Sequence, residues 1–173
     1  YVQHKIQKFN LDNIVSFKEV LSVGQQRQLI KPELTKNDLA FLQYTGGTTG
    51  LAKGAMLTHG NLLANIAQAE AWLKPVLEDN KEIAITALPL YHIFSLTANC
   101  FLFTRIGGLN YLITNPRDMK GFVKELGKVK FSVITGVNTL FNGLLNTDGF
   151  SDLDFSHLKV TLGGGMAVQE SVA

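Results

Sequence analysis

The segment Tyr44–Gly54, Tyr-Thr-Gly-Gly-Thr-Thr-Gly-Leu-Ala-Lys-Gly, carries the residue types that a phosphate needs around it. Four of the sixteen glycines in the chain, Gly46, Gly47, Gly50 and Gly54, fall within nine residues, so the enrichment is local. Backbone without Cβ atoms lets successive N–H groups turn toward one anion. Thr45, Thr48 and Thr49 add hydroxyl donors, and Lys53 adds a point charge suited to phosphate oxygens. No acidic residue occurs between Asp38 and Glu70, so no carboxylate close in sequence opposes a polyphosphate. The spacing is not that of a Walker loop, because Gly54 rather than Ser or Thr follows Lys53, and G-x-G-x-x-G is absent. The plainer alternative is a Gly/Thr connector bearing a surface lysine.

Three further segments hold candidates. His92 lies in Leu88-Pro89-Leu90-Tyr91-His92-Ile93-Phe94, where it either meets a ligand or, partly buried, caps a helix. Gly136 and Val137 lie in Ile134–Leu140, and Gly163, Gly164 and Gly165 open the run Gly163–Val168. A plain strand-to-helix turn is the alternative for Gly163–Gly165, and a purely structural role is the alternative for Gly136 and Val137. His4, His59, His92 and His157 have no metal-ligand spacing, and no G-x-S-x-G elbow is present, so no metal site and no serine nucleophile is expected. The single cysteine, Cys100, sits in an apolar run and reads as a buried, inert thiol.

The elements that would position these residues alternate. Ser16 and Glu19 have the spacing of a capping box before a short helix through Val20 and Leu21. Lys31-Pro32 marks a loop. Strand Leu39–Tyr44 leads into the Gly-rich segment, strand Ala55–Leu57 leaves it, and Asn61–Leu73 follows as a helix with Leu62, Ile66, Ala69 and Leu73 on its inner face. Beyond Lys81 the series becomes regular: strand Ile83–Leu88, a helix near Ile93–Arg105 stopped by Gly107-Gly108, and strand Leu109–Ile113. Helix Arg117–Gly127 then starts at Asn115-Pro116, followed by strand Phe131–Thr135, helix Thr139–Leu145 and strand Lys159–Leu162. That alternation predicts an α/β fold, a mostly parallel sheet with helices on both faces, with ligands beyond the carboxyl ends of the strands.

Composition narrows the function classes. With 46% apolar and 17% charged residues the 173-residue chain suits a packed sheet, and a net charge of +2 argues against nucleic acid as partner. Ile83–Thr104 contains no charged residue, yet Pro89, His92 and Asn99 divide it into strand, loop and buried helix rather than a membrane span. No Met or signal-like stretch opens the chain, and a helix is expected to begin at Val168–Ala173. Both ends are therefore expected to be cuts through a longer protein.

The Tyr44–Gly54 segment resembles the phosphate loop of the adenylate-forming superfamily of acyl-CoA synthetases, luciferases and peptide-synthetase adenylation domains, whose usual form is [YF]-T-S-G-[ST]-T-G-x-P-K-G. Gly46 replaces Ser and Ala52 replaces Pro; with Ala55-Met56-Leu57-Thr58-His59, these departures are similar to bacterial long-chain fatty acid–CoA ligases. Leu88–Phe94 resembles the second core motif, whose histidine lies near the acyl-adenylate. Ile134–Leu140 is similar to the V-P-T-L segment with Asn138 in place of proline, and Gly163–Val168 resembles the G-G-A-P-L segment beside adenine and acyl group.

The resemblance implies the large N-terminal domain of an acetyl-CoA synthetase-like fold. Residues 1–38 would form a partial lead-in, 39–80 the phosphate-loop segment and 81–173 a βα-repeat subdomain, with the C-terminal domain absent. It further implies ATP binding by Tyr44, Thr45, Gly46, Gly47, Thr48, Thr49, Gly50, Lys53 and Gly54, and catalytic roles for Lys53 and His92. His92, Gly136, Val137, Gly163, Gly164 and Gly165 would form the acyl-adenylate pocket. The implied reactants are fatty acid, ATP and coenzyme A, with Mg2+ on ligands that the sequence does not identify. The implied location is the cytoplasm, with peripheral association at the inner membrane face left open. A fatty acyl-AMP ligase, an amino-acid-activating domain and a non-catalytic nucleotide-binding module are the alternatives.

Overall fold

The computed structural model describes residues 12–45 and 52–173. The chain divides into two compact units, Tyr1–Leu34 and Thr35–Ala173. In the first, helix α1 (Phe17–Gln25) is capped as its sequence requires, the Ser16 hydroxyl accepting from the Glu19 N–H at 3.2 Å.

The second unit opens with an antiparallel ribbon of β1 (Leu39–Thr45) and β2 (Lys53–Thr58). Its register runs from Leu39 opposite Thr58 to Thr45 opposite Lys53, with one irregularity between Leu39 and Phe41. Antiparallel pairing is forced by length, since a parallel partner would need a crossover of about a dozen residues or more. Helix α2 (His59–Leu73) follows directly, starting earlier than the expected Asn61. The capping box explains the shift: Asn61 N–H donates to the Thr58 hydroxyl at 3.2 Å and Thr58 N–H donates back to Asn61 Oδ1 at 3.0 Å. Leu62 and Leu73 of the expected inner face are buried, and Ile66 and Ala69 are half-buried.

The remaining strands, β3 (Ile83–Thr86), β4 (Leu109–Leu112), β5 (Val133–Gly136) and β6 (Val160–Gly163), form one parallel sheet in the order β4-β3-β5-β6. Alternation along the strands feeds two cores. Ala84 and Val133 point to one face, where Leu73 and Leu77 pack with Leu102, Phe103 and Ile106. Ile85 and Ile134 point to the other, against Phe122, Val123 and Leu126 of α5 (Met119–Leu126) and Leu140 and Leu144 of α6 (Asn138–Leu145). Helices thus cover both faces, as the sequence pattern requires.

Several boundaries differ from expectation for identifiable reasons. The helix over Ile93–Arg105 is three pieces in line: α3 (Ile93–Ser95), a π-helical stretch (Leu96–Phe101) and α4 (Leu102–Arg105). It ends at Gly107 (φ 70°), with Gly108 N–H donating to Phe103 O at 2.7 Å and Gly107 N–H to Thr104 O, the paired bonds of a left-handed helix stop. Pro116 does not open α5. Asn115–Asp118 form a turn instead, and Asp118 is the N-cap, accepting from Gly121 N–H at 3.0 Å. Cys100, expected buried, is half-buried on the π-helical stretch, where Thr97 and Asn99 take the inward positions. Val168–Ala173 forms turns, not a helix, with Val172 and Ala173 N–H both donating to Gln169 O. Among the described residues no helix is long and apolar enough to cross a membrane.

A polar cluster is sealed inside the first core. Asn99 is fully buried; its Nδ2 donates to Thr86 Oγ1 at 3.0 Å and its Oδ1 accepts from Thr135 Oγ1 at 2.9 Å. Thr86 donates onward to Asn110 Oδ1 at 2.9 Å, and Asn110 Nδ2 donates to Asn99 O at 3.2 Å. Thr86 and Thr135 are register partners near the carboxyl ends of β3 and β5, so the cluster clamps the two strand ends from which candidate loops emerge.

Candidate functional site

In sequence, the Gly-rich segment connects the end of β1 to the start of β2. Thr45 and Lys53 face each other as the last register pair, and Tyr44 pairs with Gly54, its exposed ring lying over that glycine. The predicted donors Gly46, Gly47, Thr48, Thr49 and Gly50 lie outside the described residues. Lys53 is exposed, with its stem at the strand start.

The other candidates gather at the carboxyl edge of the parallel sheet, where the topology places a ligand. A cleft of about 330 Å3 is lined by Leu88, Pro89, Tyr91, His92, Phe94, Val137, Gly165 and Met166. Three loops supply these residues, those after β3, β5 and β6. The structure therefore brings His92, Val137 and Gly165 into one concavity. Gly164 stands behind it: a Cβ there would come within 2.7 Å of the Phe94 ring, so its small size admits that ring. Gly136 also lies behind the wall, against Phe141 and Leu140. Gly163 faces a separate concavity of about 370 Å3 with Phe141, Leu145, Thr161, Val168, Val172 and Ala173, and does not line the His92 cleft.

His92 is exposed rather than partly buried, and it does cap a helix: its Nδ1 accepts from the Phe94 N–H at 3.3 Å. Use of Nδ1 as acceptor puts the ring proton on Nε2, leaving an N–H donor free for a ligand oxygen. Capping and ligand contact are compatible, because each uses a different nitrogen. The loop that carries His92 is fixed by Ser95 Oγ donating to Leu88 O at 3.0 Å. Asn138, where the related pattern has proline, accepts from Gln169 N–H at 2.9 Å and ties the loop after β5 to the segment after β6.

Sequence reasoning passed over two groups that the structure brings to this edge. One is the Asn99 cluster, whose signal was an uncharged polar side chain inside an apolar run, a group that must find partners when buried. The other is Gln43, whose Nε2 donates to Tyr91 O at 3.1 Å. Among the described residues no group of three or more His, Cys, Asp or Glu side chains is placed to hold a metal ion.

A parallel sheet covered by helices on both faces, with a cleft at its carboxyl edge, and a β-ribbon that brackets the Gly/Thr/Lys segment in sequence define an α/β class of protein. The sequence profile described as AMP-binding enzyme matches residues 3–173, and the chain belongs to that family. It is 58% identical, over its whole length, to the long-chain-fatty-acid–CoA ligase of Haemophilus influenzae, of which it spans 31%. Its fold is that of ATP-bound MatB from Rhodopseudomonas palustris (TM-score 0.73, 22% identity, 89% of this chain and 30% of that one). It is also that of the fatty acyl-adenylate ligase from L. pneumophila solved with acyl adenylate and pyrophosphate (TM-score 0.69, 24% identity, 82% of this chain and 25% of that one).

Proposed function

We propose that the chain is the phosphate-loop and acyl-pocket segment of an ATP-dependent long-chain fatty acid–CoA ligase. The observation that carries the reading is the 58% identity maintained over the whole chain to a ligase of that activity. The cleft supports it: Leu88, Pro89, Phe94, Val137 and Met166 offer an alkyl chain an apolar wall, and His92 supplies one polar donor at its mouth.

In the first half-reaction a carboxylate oxygen attacks the α-phosphorus of ATP, the bond to the departing pyrophosphate breaks, and an acyl-adenylate forms. Negative charge shifts onto phosphate oxygens, so donors fixed beforehand lower the barrier. Tyr44, Thr45, Gly46, Gly47, Thr48, Thr49, Gly50 and Gly54 would supply the loop backbone and hydroxyls, and Lys53 the charge. The His92 Nε2–H would hold the acid's carboxyl group at the mouth of the cleft, with Gly136, Gly163 and Gly164 supporting the walls. In the second half-reaction the thiolate of coenzyme A attacks the acyl carbon and AMP leaves. Mg2+ would arrive with the triphosphate and offset its charge; none of the described side chains is assigned to it. Use of ATP and coenzyme A favours a cytoplasmic enzyme, and an acid that partitions into lipid would suit peripheral contact with the inner membrane face.

Pyrophosphate exchange by the full-length protein, with carboxylic acids of graded chain length and with or without coenzyme A, tests the reading. Exchange driven by long-chain acids, with thioester formed on adding coenzyme A, is expected. Exchange with amino acids, or adenylate without thioester, would assign the chain to another adenylate-former. ATP binding without exchange would leave a non-catalytic nucleotide module.

A further inference from the structure

Phe41 and Gln43 are two residues apart on β1, so their side chains leave the same face of the ribbon. Both reach the parallel-sheet part of the unit. Phe41 meets Phe101 of the π-helical stretch edge-on, ring centroids 5.9 Å apart. Gln43 is half-buried, and its Nε2 donates to two carbonyls, Tyr44 O at 3.3 Å and Tyr91 O at 3.1 Å. Among the described residues this is the only hydrogen bond between the ribbon and the loop that carries His92. Tyr44 O belongs to the strand entering the Gly-rich segment, and Tyr91 O belongs to the residue before His92. One amide group thus joins the backbone at both.

We propose that Gln43 is a positioning residue, its amide setting the geometry between the β1–β2 ribbon and the His92 cleft. The inference rests on the ligase reading and deepens it. Adenylation joins two ligands held by separately built elements, a triphosphate on the ribbon and a carboxylate in the cleft. The rate of such a step depends steeply on how the reacting atoms are aligned. The Phe41–Phe101 contact holds the ribbon near the sheet, but an apolar contact has little directionality. The Gln43 amide is planar and directional, and its two N–H groups match the two carbonyls that need fixing. Leucine at this position has similar bulk and no donor. Glutamate would set carboxylate oxygens against carbonyl oxygens.

The test is a double-mutant cycle in the full-length protein, measured as pyrophosphate exchange with a long-chain acid. Gln43→Leu should lower kcat roughly three- to tenfold, as expected for one neutral hydrogen bond, with KM for ATP and acid little changed. In a His92→Ala background the same substitution should have little further effect, because the group being positioned is gone. Gln43→Glu should lower kcat at least as far and completes the same cycle if Gln43→Leu does not fold. An unchanged kcat, or an equal fold-loss with and without His92, overturns the coupling while the ligase reading stands. Absence of exchange in the unsubstituted protein overturns the ligase reading and the coupling together.

Discussion

Lys53 stands at the open end of the ribbon, opposite Thr45, with nothing acidic near it in sequence. Lys53→Ala should remove one charge-assisted contact to phosphate, about 1.5–3 kcal/mol, or on the order of ten- to a hundredfold in the adenylation rate. Transfer from preformed acyl-adenylate to coenzyme A should fall less, because pyrophosphate has already left. Single-turnover measurement of the two half-reactions checks this, and an equal fall in both would make Lys53 a structural residue. His92 has two tasks that can be separated. His92→Asn keeps a good helix-capping acceptor but shortens the reach of the outward donor, whereas His92→Ala loses both. Adenylation should be impaired in both variants while only His92→Ala loses thermal stability, by roughly 0.5–2 kcal/mol. A melting loss in His92→Ala with normal adenylation would leave capping as its whole role. The chemistry at these positions was legible because composition exposes it: glycines, threonines and a lysine crowd together. Gln43 was not legible, because its meaning depends on a carbonyl 48 residues away.

Among the elements, the helix over Ile93–Arg105 shows where periodicity stops being informative. Its existence and its glycine stop follow from local residues, but the π-helical middle does not. Asn99 meets Thr86 and Thr135, which lie 13 and 36 residues away, and those partners become visible only once β3 and β5 are paired. The same holds for α5, where Asp118 rather than Pro116 makes the cap that fixes the start. The ordinary rule for a buried polar group sets the energetics: losing its partner costs more than the bond is worth. Asn99→Leu should therefore destabilise the protein by roughly 1–3 kcal/mol, chiefly by leaving the Thr135 hydroxyl without an acceptor. Adding Thr135→Val should recover part of that loss, since an apolar pair of similar shape has no unmet donor. Urea unfolding of the single and double variants checks the sign; a double variant less stable than Asn99→Leu would show that packing, not hydrogen bonding, dominates there.

Across the unit formed by Thr35–Ala173, the parallel sheet separates function from stability by its two edges. The candidate loops leave the carboxyl edge, and an ion cluster closes the amino edge. Glu82, just before β3, has its side chain 1% exposed and accepts from Lys159 Nζ at 2.8 Å; Lys159 sits just before β6 and also reaches Glu78 at 3.2 Å. Burial would raise the Glu82 carboxyl, but hydrogen bonds from Lys159, the Ser132 hydroxyl and the Glu78 N–H outweigh it and hold it below its ordinary value. Hydrogen bonds from Glu82 and Glu78 in turn raise Lys159 above the usual lysine value. Glu78 is more than half exposed, so solvent screens its share and the Glu82 pair dominates. A carboxylate held low in the folded state stabilises fully above the unfolded carboxylate value and loses that contribution as pH falls through its folded value. The raised lysine keeps its part of the pair until pH climbs past the ordinary lysine range. Lys159→Met should therefore destabilise the protein at neutral pH, by leaving a buried carboxylate short of a donor. The gap between the two proteins should narrow as pH drops below the ordinary carboxylate range, because Glu82 then takes up a proton in both. Because the cluster lies at the edge away from the cleft, KM for acid and ATP in pyrophosphate exchange should stay as in the unsubstituted protein. Denaturant unfolding across that pH range, with exchange kinetics at neutral pH, tests the whole assignment. A stability gap that stays constant into acid would show that Lys159 acts through packing of its stem and not through its charge.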